Sequence, residues 1–275
     1  MIHRRSPWIP AVLAVASAMS SAHAQQPPAP NAPARATPPK IVLKLDDMVG
    51  LHPNWQKVLD SVNRRGIKAS FGIICVSLEH PAPAYLDFIK QAKAGGRIEF
   101  WCHGYDHKGW TENGLSMWEF YGPPLAQQKE HLEHCQQLAR EKLGFPFASF
   151  GAPFNQTDEK FAEAIRDSPD FKVWMYGDGQ FPMGKTVLAR YGDVNIENPL
   201  FVPSTERLAI GMAHHGTAPY FVIQGHPPQW DAKRLAEFET MLDYLTAQKA
   251  VFMTPSELAA TLPAPGPAGP LPPPS

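Results

Sequence analysis

Short apolar runs alternate with longer amphipathic stretches along most of the chain. Apolar runs bounded by turn residues are typical of buried strands. Eight such runs predict strands at residues 40–45, 69–75, 97–102, 148–151, 172–176, 186–191, 220–224 and 250–253. Apolar residues at helical spacing predict helices between them. These helices are expected at residues 55–65, 84–94, 125–143, 158–167 and 232–248.

The alternation of strands and helices predicts the fold class. It is typical of parallel strands joined by crossover helices. Seven or eight such strands in about 220 residues favour one closed or nearly closed (β/α) barrel over an open doubly wound sheet. No Gly-rich phosphate-binding fingerprint follows the first strand, which weakens the dinucleotide-binding alternative. A single α/β domain is therefore expected over residues 40–262.

The segments that flank this domain differ from it in composition. Residues 1–24 combine Arg4 and Arg5, a short apolar run and small residues before Ala24, the layout of a secretory signal peptide cleaved after Ala24. The apolar run is shorter than the ~20 residues that span a bilayer, and no later segment is apolar enough to do so. We therefore expect export to the periplasm or the cell exterior. Residues 25–39 and 263–275 hold 13 of the 30 prolines, which predicts a disordered linker and tail.

Charge and cysteine content narrow the expected partners. Without the first 24 residues the chain has 23 Lys and Arg against 26 Asp and Glu, and it has no basic stripe. This balance argues against a nucleic-acid partner, and no feature implies a protein partner. The three cysteines, Cys75, Cys102 and Cys135, cannot all pair with one another, and we expect them mostly in the core.

Carboxylates and imidazoles follow several predicted strands. Asp46 and Asp47 end the first strand, His103 and His107 follow the third, and His226 follows the strand at 220–224. The carboxyl ends of parallel barrel strands share one face, where sites are built. Two imidazoles with one carboxylate suit zinc and leave coordination positions for water. Alone, the H-x3-H spacing could belong to a surface loop and the Asp-Asp pair to a turn, but together they predict a metal site.

Four segments resemble the motifs of a known family. IVLKLDD, EFWCHGYDH, FGAPF and VIQGH are similar, in this order, to the first, second, third and fifth motifs of the polysaccharide deacetylases, carbohydrate esterase family 4. The first two motifs are the specific ones, and the resemblance covers essentially all of residues 40–262. It implies a distorted (β/α)7 barrel that acts on N-acetylated or O-acetylated saccharides.

The resemblance implies a role for each strand-end residue. Asp46 matches the catalytic base and His226 the general acid, while Asp47, His103 and His107 match the metal ligands. The implied cofactor is a divalent metal ion, with Zn²⁺ expected and Ni²⁺, Co²⁺ or Mn²⁺ suited to the same ligands. The metal would polarise an acetyl carbonyl and activate its bound water as the nucleophile. The base would then take the water proton, and the acid would protonate the leaving group.

Further residues are expected to contact substrate. The backbone N–H of Phe154 is a candidate donor to the oxyanion, and Asn155 lies beside it. Trp110 and Trp230 each follow a site loop, and aromatic rings stack on sugars. Seven tryptophans in a chain of this size also suit an ordinary core.

The third motif departs from the family pattern at one position. The family places there an Arg that orients the catalytic Asp, whereas this chain has Gly151. Lys44 is a candidate replacement, because it lies two residues before Asp46 on the same face of the strand. The alternative is a purely structural pairing of Lys44 with Glu99. The fourth motif is unclear, and residues 176–179 are only a candidate for it.

These observations predict an enzyme, a metal-dependent hydrolase that removes acetyl groups from a saccharide. Two alternatives remain open. One is a metal amidohydrolase that acts on a non-sugar C–N bond. The other is a catalytically impaired barrel that binds metal or saccharide without turnover, for which the missing Arg is the support.

Overall fold

The computed structural model describes residues 37–266, so the predicted signal peptide and most of both proline-rich segments lie outside the described residues. The strands are β1 (Lys40–Met48), β2 (Ala69–Ile73), β3 (Ile98–Cys102), β4 (Gly109–Glu112), β5 (Leu115–Trp118), β6 (Ser149–Gly151), β7 (Val173–Met175), β8 (Thr186–Leu188), β9 (Tyr220–Gly225) and β10 (Val251–Phe252). The helices are α1 (Pro53–Arg65), α2 (Pro83–Ala94), α3 (Leu125–Leu138), α4 (Glu159–Arg166), α5 (Thr205–His214), α6 (Ala232–Ala247) and α7 (Pro255–Ala260).

Seven parallel strands form a nearly closed barrel, in the order β9, β1, β2, β3, β6, β7, β8. The short strand β10 pairs with the start of β1. Two side chains bridge the gap between β8 and β9. The Tyr176 hydroxyl donates to the Val222 carbonyl at 2.8 Å, and the Tyr220 hydroxyl accepts from the Ala189 N–H at 3.0 Å. The predicted distorted (β/α)7 barrel is confirmed.

Alternation along the strands divides the core into two layers. On β1, Ile41, Leu43 and Leu45 join the large cluster between the sheet and the helices. Val42, on the opposite face, belongs to a smaller cluster inside the barrel that also includes Trp101. Side chains alternate between the two faces of a strand, so Lys44 and Asp46 also point into the barrel.

An irregularity at the end of β1 turns Asp47 toward the site. The pairing of β1 with β2 shifts register between Leu45 and Met48, and Asp47 has a φ of 70°. A bulge of this kind redirects a side chain at a strand end. Asp46 and Asp47 can therefore both face the carboxyl end of the barrel, although neighbours in a regular strand face opposite sides.

Five elements differ from the sequence prediction. The hairpin of β4 and β5 and the helices α5 and α7 were not predicted, and α3 ends at Leu138 in a π-helical turn, Ala139–Leu143. The hairpin was missed because its residues are mostly exposed and form no apolar run, although Asn113-Gly114, both at positive φ, is a typical signal for a two-residue hairpin turn. A signal for α7 was present, since Thr254 and Glu257 form a capping box. None of the helices between residues 37 and 266 is long and apolar enough to cross a membrane.

Candidate metal and acid–base site

Three ligand atoms meet at the carboxyl end of the barrel. Asp47 Oδ1 lies 3.3 Å from His103 Nε2 and 3.4 Å from His107 Nε2. Ligand atoms about 2.1 Å from a tetrahedral ion are about 3.4 Å apart, so this spacing fits a divalent metal. Asp47 Oδ1 is shielded from solvent and has no hydrogen-bond partner among the described residues. A buried carboxylate oxygen in that position is suited to a cation.

The surroundings hold both imidazoles in the form that binds metal. His103 Nδ1 lies 2.8 Å from the Gly151 carbonyl oxygen, which can only accept, so the ring donates from Nδ1 and keeps Nε2 free. Burial, followed by the charge of His103, lowers the pKa of His107 and favours its neutral ring. Burial raises the pKa of Asp47, but the imidazoles of His103, His226 and His107 around it outweigh that effect. The pKa of Asp47 is therefore well below its usual value.

Asp46 is fully buried, and its two oxygens differ. Lys44 Nζ lies 2.5 Å from Asp46 Oδ2, and Gln224 Nε2 donates to the same oxygen at 2.6 Å. Asp46 Oδ1 is buried without a hydrogen-bond partner in the described part of the chain. Burial lowers the pKa of Lys44, while the charge and hydrogen bond of Asp46 act in the opposite direction. One carboxylate oxygen is thus fixed and the other is available.

Lys44 occupies the space beside Gly151. A Cβ added to Gly151 would lie 3.0 Å from Lys44 Cε and 2.9 Å from Trp101 Cζ3. The Lys44 ammonium lies 4.7 Å from the Trp101 ring centroid and 5.1 Å from that of Tyr176. Any side chain at position 151 would therefore meet the lysine or the indole.

Glu99 has other partners than Lys44. Its Oε1 accepts from the hydroxyls of Ser149, at 2.5 Å, and Ser256, at 2.8 Å, and its Oε2 accepts from the Ser256 N–H at 2.9 Å. The alternative pairing of Lys44 with Glu99 is therefore wrong. Glu99 instead ties β3 to β6 and to the start of α7.

His226 is held by a carboxylate that the sequence did not single out. Its Nδ1 lies 2.7 Å from Glu197 Oε2, and its backbone N–H donates to Glu197 Oε1 at 2.7 Å. Burial lowers the pKa of His226, but the hydrogen bond with Glu197 and the charges of Asp46, Glu197 and Asp47 raise it above its usual value overall. The Nε2 atom on the opposite side of the ring lies 3.5 Å from Gln224 Nε2.

Glu197 and Gln224 carried no local signal in the sequence. Glu197 lies in an irregular segment before α5, and Gln224 reads as one polar residue in an apolar strand. Residues 176–179, the candidate for the fourth motif, do not supply this carboxylate. Asp178 in that segment is exposed and accepts from the Gln180 N–H of its own turn.

Of the four residues expected to contact substrate, Phe154 and Trp110 are exposed, whereas Asn155 and Trp230 are held by other residues of the protein. Phe154 is 43% exposed, with its ring centroid 4.4 Å from that of His107, and Trp110 is 37% exposed on β4. Asn155 Nδ2 donates to Gln224 Oε1 at 3.1 Å. Since Gln224 in turn donates to Asp46, the Asn155 side chain holds Gln224 in place.

The expectation that the Trp230 ring stacks on a sugar is wrong, because the ring is buried. It is 3% exposed, its ring packs 4.8 Å from that of Phe238, and its Nε1 donates to Glu197 Oε1 at 2.7 Å. With its faces covered, Trp230 supports Glu197. The three cysteines are free and buried, as expected of core residues.

Comparisons with known proteins agree with this architecture. The polysaccharide deacetylase family model matches residues 34–169. A comparison with curated protein sequences finds no match. A family 4 acetyl xylan esterase from Clostridium thermocellum, solved in complex with cobalt, is 16% identical with a TM-score of 0.57, over 80% of this chain and 91% of that chain.

Two further solved structures extend this likeness. The Xyl-CE4 domain of a multidomain xylanase from the Trinervitermes trinervoides hindgut metagenome is 19% identical with a TM-score of 0.56, over 80% of this chain and 89% of that chain. A CE4 family pseudoenzyme from Bacillus anthracis is 14% identical with a TM-score of 0.56, over 82% of this chain and 67% of that chain. At these identities the structures show a shared fold. The matched family model identifies the chain as a divergent member of the polysaccharide deacetylase family, carbohydrate esterase family 4.

Proposed function

We propose that the chain is a metal-dependent deacetylase that removes acetyl groups from an N- or O-acetylated saccharide. The ligands of the metal would be Asp47, His103 and His107, with Zn²⁺ expected and Ni²⁺, Co²⁺ or Mn²⁺ possible on the same donor set. The observation that carries the proposal is Asp46, whose Oδ2 is fixed by Lys44 while Oδ1 is free. A metal-binding group and an oriented base side by side are what hydrolysis of an acetyl group requires.

Each group beside the metal ligands has a task in this reaction. When bound, the metal supplies Lewis acidity that polarises the acetyl carbonyl and lowers the pKa of water. Asp46 Oδ1 accepts the proton of the attacking water, because Oδ2 is already occupied by Lys44 and Gln224. His226, whose pKa is raised, donates a proton from Nε2 to the departing amine or alkoxide.

The substrate class is supported by the family and by two exposed aromatic side chains. Phe154 lies against His107 at the site, and Trp110 lies on the hairpin that follows the His107 loop. Aromatic rings offer apolar faces to the carbon skeleton of a sugar. The Phe154 N–H is proposed to donate to the oxyanion. These two rings and the family are the reasons to prefer an acetylated saccharide over a non-sugar C–N bond, whose hydrolysis would release ammonia or an amine and no acetate.

Metal content and acetate release, measured on the wild type and on Asp46→Asn, test this function. The wild type is expected to bind one divalent ion and to release acetate from acetylated oligosaccharides. Asp46→Asn is expected to keep the metal and lose about 100-fold or more of the activity, because it lacks the proton acceptor. Loss of metal from Asp46→Asn would instead make Asp46 a ligand and contradict the assignment of Asp47.

A second candidate function is a barrel that binds metal and saccharide without turnover. Gly151 in the place of the family's Arg is the observation in its favour, and one solved relative in fold is described as a pseudoenzyme. Metal binding with no acetate release from any acetylated oligosaccharide, at wild-type stability, would support this candidate over the first.

We also propose that the protein is exported after cleavage at Ala24, on the basis of the signal-peptide pattern of residues 1–24. The intact mass of the chain recovered from a secreting host is expected to correspond to a start at Gln25. A mass that retains residues 1–24 would contradict export by this route.

A further inference from the structure

Glu119 lies beneath the loop that carries the metal-binding histidines. It directly follows β5, and its side chain is fully shielded from solvent. Its Oε1 accepts from the Tyr105 N–H at 2.5 Å, and its Oε2 accepts from the His107 N–H at 2.8 Å. A third group, His131 Nδ1 on α3, lies 3.0 Å from Oε1. Both oxygens of this buried carboxylate are therefore used, and two of the three bonds go to the backbone of the loop.

The hairpin of β4 and β5 brings Glu119 back to this loop. The chain leaves the loop at Lys108, forms the hairpin and returns so that the Glu119 N–H donates to the Lys108 carbonyl at 3.0 Å. The carboxylate that holds the loop thus comes from the first residue after the hairpin. The hairpin thus closes one side of the loop, while on the other side the Gly104 and Tyr105 carbonyls accept from the N–H groups of Cys75 and Val76, at 2.9 and 2.7 Å.

Gly104, between the two histidines, makes room for this carboxylate. It has a φ of 78°, and a Cβ at this position would lie 2.5 Å from Glu119 Oε2 and 2.6 Å from Pro153 Cγ. His107 itself has a φ of 54°, a left-handed conformation that is unfavourable for a residue other than glycine. A strained conformation persists only where its surroundings over-determine it, and the bond from the His107 N–H to Glu119 is such a constraint.

We propose that Glu119 is a positioning residue for the metal site, which sets the His103–His107 loop in its metal-binding conformation before the ion binds. The inference rests on the proposed metal site formed by Asp47, His103 and His107. Glu119 does not face the ion, because its oxygens are taken by the loop N–H groups and His131. Its effect is to hold His107 Nε2 near Asp47 Oδ1. The loop then loses less conformational entropy when the metal binds, which strengthens binding.

A neighbouring carboxylate provides a matched control. Glu79 also contacts the loop, but it accepts from the Tyr105 hydroxyl and lies near His134, on the partly exposed surface. Glu79 and Glu119 therefore touch the same loop residue, one through its side chain and the other through its backbone. Only the loss of the backbone contact, made by Glu119, is expected to weaken metal binding.

The test is the affinity of the full-length protein for Zn²⁺, measured by competition with a chromophoric chelator. Glu119→Gln is expected to bind Zn²⁺ about 10- to 100-fold more weakly than the wild type, because the amide NH₂ cannot accept from a loop N–H. Glu79→Gln is expected to bind like the wild type. At saturating Zn²⁺, acetate release by Glu119→Gln is expected to return toward the wild-type rate, since Asp46 and His226 are unchanged.

The outcomes separate this inference from the proposed function. Equal Zn²⁺ affinity for the wild type and a folded Glu119→Gln overturns the role of Glu119 and leaves the metal site standing. A wild type that binds no Zn²⁺ overturns the metal site itself. Circular dichroism checks folding, and if Glu119→Gln does not fold, Glu119→Asp replaces it. Its shorter side chain keeps the charge but cannot reach both N–H groups, so unchanged affinity there also overturns the inference.

Discussion

Lys44 and Asp46 form an ion pair that is entirely removed from solvent. Breaking a buried pair on one side leaves a charge without compensation, and such a charge changes its protonation or its position. Position is what a catalytic base needs, since its free oxygen has to point at the water it deprotonates. At the scale of single residues, the orientation of Asp46 therefore depends on Lys44.

Lys44→Met is expected to retain the metal and to lose acetate-releasing activity by about 100-fold, because Asp46 loses the group that orients it. Metal analysis and steady-state kinetics on the same preparation measure the two quantities. Lys40→Met is the control, since Lys40 lies on the same face of the same strand but bonds to Thr261 at the surface. Full activity of Lys44→Met with bound metal would exclude the orienting role.

The pair of Glu197 and His226 predicts a change in pH dependence. In the proposed reaction His226 acts as the general acid while it is protonated, and Glu197 helps to raise the pKa of His226, so Glu197 is expected to extend activity toward higher pH. In Glu197→Gln the pKa of His226 falls, and the alkaline limb of kcat/KM is expected to move to lower pH, with a loss of at least about 100-fold in rate. A pH profile with an unmoved alkaline limb would show that His226 is not the acid.

The contact between two site residues could be predicted from the sequence where both lie on one strand. The contact of Lys44 with Asp46 follows from the alternation of side chains along a strand, which relates residues two apart. Glu197 lies 29 residues before His226 in sequence, and no periodicity connects the two positions. Long-range partners of this kind arise from the tertiary fold and are not visible in a local pattern.

At the scale of elements, Glu99 joins three pieces of secondary structure inside the barrel. It is 8% exposed and bonds Ser149 on β6 and Ser256 at the start of α7. α7 is only six residues long, so it depends on such contacts and on its capping box rather than on its own helical stability.

Glu99→Ala is expected to lower the free energy of unfolding by about 2–4 kcal/mol, because it leaves the buried Ser149 hydroxyl and the partly buried hydroxyl and N–H of Ser256 without an acceptor. Chemical denaturation measures this loss, and Ser256→Ala is expected to cost only about 1 kcal/mol. Zn²⁺ binding should persist in both variants. A stability loss below that of Ser256→Ala would show that Glu99 does not link these elements.

The elements that the sequence predicted are those with an apolar face against the large cluster. The predicted strands of the barrel and five of the helices are present, with ends shifted by a few residues. The hairpin of β4 and β5 is mostly exposed, with Trp110 and Leu115 open to solvent, and it is joined to the fold by backbone pairing and by the contact of Glu119 with the loop. Patterns of hydrophobicity cannot report an element of that kind.

At the scale of the whole molecule, side-chain hydrogen bonds connect the barrel where β8 and β9 do not pair through their backbones. Tyr176 and Tyr220 carry the two bonds across the gap between β8 and β9. The same Tyr176 ring lies over the Lys44 ammonium, so the residue that bonds across the gap also contacts the proposed site. The barrel class followed from the count and alternation of strands, but the position of the gap did not.

Tyr220→Phe is expected to lower the free energy of unfolding by about 1 kcal/mol, because it removes one hydrogen bond across the gap. Tyr176→Phe is expected to cost a similar amount, and the double variant to cost about the sum of both if the bonds act independently. Denaturation curves of the three variants provide the values. Stabilities equal to that of the wild type would show that the tyrosines do not close the barrel.

The close approach of Lys44 to Gly151 has an evolutionary consequence. Since a Cβ at position 151 would meet Lys44 and Trp101, an Arg on β6 and a Lys on β1 would compete for the same space inside the barrel, and in this chain the cation comes from β1. A lineage that makes this exchange one substitution at a time passes through a form with no cation or with two crowded ones. Positions 44 and 151 are thus expected to vary together among related sequences. A motif search that demands the Arg would discard such sequences, although their base has a cationic neighbour.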